Sequence, residues 1–151
     1  MDLAAICAMT FGGSLLGSLL PVINAELLVI SMAALAPHGG LPPIVAAAAI
    51  GQIAGKVLLY LAGRGTIRLR GLREHARLQA VVLRLQSSAR TSALVLFASA
   101  LAGVPPLYAV SVASGIIGIP LHRFVAIAFV GRVLRFGLLV QVPHMFTRLA
   151  I

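Results

Sequence analysis

The sequence predicts an all-α integral membrane protein of two inverted repeats, each a re-entrant broken-helix hairpin followed by a transmembrane helix. A basic amphipathic helix joins the repeats. Three observations carry this prediction. Hydrophobic residues fill 60% of the 151 positions and charged residues only 10%, with a mean hydropathy of +1.07; a soluble domain carries about a quarter charged residues. Seven arginines fall between Arg64 and Arg90, with apolar sequence on both sides. A shift of 80 residues also lays the second half of the chain on the first.

Leu3 to Leu20 is apolar and uncharged. A cleaved signal peptide wants a basic leading region and a small-residue cleavage site; neither is present, so the start is expected to be retained. Gly12, Gly13 and Gly17 allow close helix approach, which suits one arm of a packed hairpin. The helix is expected to break at Pro21, which lacks the N–H that a continuing helix needs. Asn24 follows, able to bond local backbone groups, and then Glu26, one of three acidic residues. A carboxylate in apolar surroundings is costly unless neutralised, paired or wetted. Two readings stand for Glu26. It marks an ion or substrate site at a helix break, or it snorkels or caps a helix start.

The next arm, Leu27 to Ala36, is too short to cross about 30 Å of hydrocarbon, which favours a re-entrant hairpin. A polar turn follows at Pro37-His38-Gly39-Gly40. Leu41 to Leu61 is long enough to span, with Pro42 and Pro43 in its first turn. It carries a Gly51-x-x-x-Gly55 packing signal, Lys56 and Tyr60. Lys56, the only lysine, either contributes to a site or snorkels to the surface.

From residue 64 to 91 the chain turns basic. Leu78, Val81, Val82 and Leu85 follow helical spacing, while Arg70, Arg77 and Arg84 recur every seven residues beside Arg73. This linker suits an anionic leaflet and is expected on the cytoplasmic side. The second half breaks at Gly103-Val104-Pro105-Pro106, resumes to Gly118, and passes Pro120 into a span from Leu121 to about Gln141, with Arg132 and Arg135 inside it. A short tail, residues 143–151, closes the chain. The whole reads as a single membrane domain: repeat one at about 3–63, linker 64–91, repeat two at about 92–142. The shift pairs Leu27 with Leu107, Ser31 with Ser111, Leu41 with Leu121 and Gly51 with Gly131. With the linker inside, the first span runs inward and the second outward, so the hairpins enter from opposite faces.

Several functions are disfavoured. The net charge of +9 is placed as positive-inside charge rather than as a nucleic-acid footprint. Cys7 stands alone, which excludes an internal disulfide, and no ligand spacing suits a metal. His38, His75, His122 and His144 flank apolar segments as solvated turn residues would, and no nucleophile and base are paired. No enzyme and no cofactor are expected.

The run Pro21, Glu26, Gly51, Gly55, Tyr60 and Gly63-Arg64-Gly65 resembles the first half of the DedA superfamily, the VTT or SNARE-associated domain. Pro105-Pro106, Ser114-Gly115, Phe124, Gly131-Arg132 and Arg135 are similar to its second half, and the short YqaA-like branch is the nearest match. The sequence departs from the pattern at Lys56, where Asp is usual, and at a second break without arginine or acid. The resemblance implies facing re-entrant hairpins in a bacterial inner membrane. It also implies ion-coupled movement of an anionic lipid phosphate, such as undecaprenyl phosphate or a phospholipid; the place of Glu26 at the helix break makes it the residue expected to carry a proton. Anionic lipids and the bilayer are the expected partners, and a homo-oligomer is compatible with the sequence. A cationic-drug exporter and a non-transporting scaffold are the alternatives.

Overall fold

The computed structural model describes residues 2–20, 24–36, 39–65 and 76–149, with side chains from 78 to 141 in the last stretch. All its elements are helices: α1 (Leu3–Leu19), α2 (Ala25–Ala34), α3 (Leu41–Gly63), α4 (Ala76–Gln86), α5 (Ala89–Ala102), α6 (Leu107–Ile117) and α7 (Leu121–Leu149). Two of them are long and apolar enough to cross a membrane, α3 and the Leu121–Gln141 part of α7. The chain forms two compact units, residues 1–53 with 132–151, and residues 54–131.

In the first unit Asp2 caps α1 by accepting from the Ala5 amide at 3.3 Å. Its buried residues Ile6, Thr10, Ser14 and Ser18 recur every four positions and so form one face. Gly13 meets the side chain of Leu28, which seats α1 against α2. Gly51 meets the Phe11 carbonyl, so a Cβ there would strike backbone. On α7, Arg132, Phe136 and Val140 are buried at the same four-residue spacing.

The second unit packs α4 against α5 and α6. Helix α6 is buried from Leu107 through Gly115 except for Tyr108, as expected of a helix apolar all round. Gly63 and Gly115 bring α3 and α6 into backbone contact, Gly63 against Val112 and Gly115 against Tyr60. Gly131 lets α7 approach Ala100 of α5. The break between α5 and α6 is closed by Gly103, left-handed at φ 81°, and by the Ser99 hydroxyl, which donates to the Pro105 carbonyl. Pro106 is the N-cap of α6, and the Val104–Pro105 peptide is cis.

Three boundaries differ from the sequence expectation. Helix α2 opens at Ala25, two residues early, because the Asn24 side chain accepts from the amides of Glu26 and Leu27. Helix α7 passes through Pro143 to Leu149; proline costs one ladder bond, a loss that apolar helices can absorb. Helix α5 starts at Ala89, inside the stretch assigned to the linker, with Ser88 accepting from the Thr91 amide as its cap. Pro21, Pro37, His38, Arg70, Arg73 and His75 lie outside the described residues, as do the side chains of Arg77 and His144. Arg84 is exposed on α4, on the flank of the face that buries Leu78, Val81 and Leu85.

Candidate functional site

The N-terminal turn of α2 places Glu26. With Asn24 as the cap, Glu26 is in the first turn of the helix, where the N-terminal dipole favours a carboxylate. Its partner comes from 109 residues away: Arg135 donates from Nε to Glu26 Oε1 at 2.8 Å, and Nη2 donates to the same oxygen. The pair is partly open, with side-chain exposures of 22% for Arg135 and 35% for Glu26.

Arg132 is one turn back on α7. Its place on the Phe136–Val140 face buries it to 8% exposure, and its guanidinium carbon lies 6.0 Å from the Phe136 ring centroid. Arg135, three residues on, flanks that face and reaches Glu26 from its edge. Arg132 is within electrostatic range of both Arg135 and Glu26. Its Nε has no hydrogen-bond partner among the described residues. Burying such a donor is costly without an acceptor. Two guanidinium groups and one carboxylate leave this cluster a net positive charge, and planar forks of this kind match carboxylate and phosphate oxygens.

The second unit holds the other expected residues. Lys56 is buried at 6% exposure, so it does not snorkel. Tyr60 is fully buried, stacks on Phe124 at 5.2 Å between centroids, and donates its hydroxyl to the Ile119 carbonyl at 2.6 Å. Arg64 Nη1 donates to that hydroxyl at 3.0 Å. Gly55 is buried on α3, Gly131 takes part in helix packing, and Gly103, Pro105 and Pro106 form the second break. His122 is exposed in the first turn of α7.

Sequence reasoning paired Tyr60 with no partner. The four-residue spacing of Tyr60 on α3 and Arg64 just past its end was a usable signal. For Ser99 there was none, since a serine in an apolar helix bonds its own backbone as readily as a distant carbonyl.

The sequence pattern of the VTT domain matches residues 20–145. No curated protein and no solved structure matches the chain.

Proposed function

Because this chain belongs to the VTT-domain family, membrane proteins of the DedA type, we propose that it moves an anionic lipid phosphate across the bilayer. The observation that carries this reading is Arg132, a buried guanidinium with an unpartnered Nε beside the Glu26–Arg135 pair. In this scheme the head group enters at the open ion pair and binds the two arginines. Protonation of Glu26 removes the competing negative charge and releases Arg135 to the phosphate. A cationic substrate would want an acid-lined cavity with arginines elsewhere, and Arg135 on Glu26 counts against it. In a reconstituted flip assay with a labelled lipid phosphate, Arg132→Ala is expected to slow transport about tenfold or more, mainly through weaker binding. Wild-type transport by Arg132→Ala would overturn the site.

Under this reading the short helices α2 and α6 are the deep arms of re-entrant hairpins, and α3 and α7 are the spans of an inverted repeat. Two facts support it. Helices α3 and α7 both begin on Leu, at Leu41 and Leu121, matching the sequence shift. In the second unit, Tyr60 near the end of α3 meets Ile119 and Phe124 at the start of α7, the end-to-start contact expected of helices that run oppositely. Residues 64–91 are then cytoplasmic in a bacterial inner membrane, the arginines at Arg70, Arg73, Arg77 and Arg84 facing anionic lipid. Single cysteines at Ser87 and His38, in a Cys7→Ser background, are expected to label from opposite sides. Labelling from one side would remove the inverted topology.

A further inference from the structure

A groove of about 640 Å³ opens between α4 and α6, lined among the described residues by Leu78, Gln79, Val82, Leu83 and Ile116. Four of these five are aliphatic, and the volume is in the range of about 300–1,000 Å³ that small-ligand sites occupy. Leu83 stays 69% exposed at its rim.

A cationic group is held close in the chain to Ile116, one of the groove's lining residues. Ile116 lies between two points held by the end of α3. On one side a Cβ at Gly115 would come within 2.8 Å of the Arg64 amide. On the other, the Ile119 carbonyl accepts from Tyr60, whose hydroxyl accepts from Arg64. Tyr60 is clamped by the Phe124 ring, so this relay fixes one edge of an otherwise exposed guanidinium. An arginine offers five N–H donors, and the relay engages one guanidinium nitrogen of Arg64. Arg123 is also exposed, one residue before Phe124. The described residues of this unit include no carboxylate; Glu74 lies outside them. Among the described residues of this unit, Arg64 and Arg123 have no acid to pair with.

We propose that this end of the second unit holds a resident anionic phospholipid, its phosphate on Arg64 and one acyl chain along the α4–α6 groove. An apolar groove with a fixed guanidinium held a few residues from its Ile116 wall suits an apolar tail with a phosphate head. A soluble anion would fill only the cationic end and leave the aliphatic walls wet. The basic, amphipathic α4 supplies the groove's apolar wall while keeping Arg84 outward, as a helix at a leaflet surface does. The proposal does not rest on transport: its residues are separate from Glu26, Arg132 and Arg135, and its assay measures binding.

The test is native mass spectrometry of the full chain in neutral detergent, with dioleoyl phosphatidylglycerol and dioleoyl phosphatidylcholine in equal amounts. The wild type is expected to retain one phosphatidylglycerol about tenfold in preference to phosphatidylcholine. Arg64→Gln should remove most of that preference. Tyr60→Phe, which keeps the ring stack and loses the relay, should remove part of it. Gln79→Trp, an exposed position on the groove, should lower retention of both lipids by filling the channel, and millimolar inorganic phosphate should not displace the lipid. Equal retention of the two lipids by the wild type overturns the proposal, as does unchanged retention in Arg64→Gln. Unchanged retention in Gln79→Trp overturns the seating of the chain, and displacement by inorganic phosphate alone would assign the site to a free anion. Melting temperature, followed in parallel, separates loss of the site from loss of the fold.

Discussion

Arg135→Ala is expected to cost more stability than Glu26→Gln, with the double substitution recovering part of the loss. Removing the arginine leaves a carboxylate without its guanidinium in a segment that is otherwise apolar from Leu27 to Ala36. Breaking one side of a fully buried pair costs about 3–5 kcal/mol, because the remaining charge is unsatisfied. This pair is partly open, with side-chain exposures of 22% and 35%, so about 1–3 kcal/mol is the expected scale. Glu26→Gln keeps an acceptor oxygen for Arg135 while removing the charge, and is the milder change. Thermal melting of the four proteins in one detergent gives the coupling directly. Additive losses would mean that the ion pair contributes nothing of its own. In the flip assay the two single variants should separate further. Arg135→Ala is expected to lose transport by about two orders of magnitude, from the loss of a forked phosphate contact and the return of Glu26 as an unopposed repelling charge. Glu26→Gln should still transport, with a rate that no longer follows pH. A normal pH-dependent rate in Glu26→Gln would remove proton coupling through this residue.

Replacing Gly63 or Gly115 with alanine is expected to destabilise the second unit sharply. A Cβ at Gly63 would strike the Val112 carbonyl, and one at Gly115 the Tyr60 carbonyl. Backbone cannot step aside as a flexible side chain can, so α3 and α6 would have to separate. Overpacking of this kind costs about 1–3 kcal/mol, sometimes more. Separation would also loosen the Tyr60 bond to Ile119 and the stack on Phe124. Gly12 and Gly137 are the controls: both are helical, and a Cβ there meets nothing within 4 Å. Alanine at those two positions should be neutral, or stabilising by up to about 1 kcal/mol through helix propensity. Melting curves that place all four glycines together would show that the close approach between α3 and α6 is not what holds the unit.

The sequence alone determined the all-helical class, the two long apolar helices and the family. These follow from composition and short-range pattern: unbroken apolar runs, prolines at the breaks, and loose motifs in a set order. It also singled out Glu26, Lys56, Arg132 and Arg135, because an ionisable group is conspicuous in apolar sequence. The partners of those groups were not legible. By charge alone Lys56, Arg132 or Arg135 can pair with Glu26, and local spacing does not choose among residues 30 to 109 positions away. Tertiary structure chose Arg135 by setting the rotation of α7: the four-residue face of Arg132, Phe136 and Val140 turns inward, and Arg135 is left on its flank. It likewise turned Lys56 inward, where length and charge alone allowed it to snorkel. The hydroxyl relay through Tyr60 and the Ser99 closure of the second break came from packing too, since each joins a side chain to a backbone carbonyl beyond its own helix. Which side of a helix faces its neighbours is a global property, fixed only when all the helices are in place, and an apolar sequence gives little contrast from which to read it.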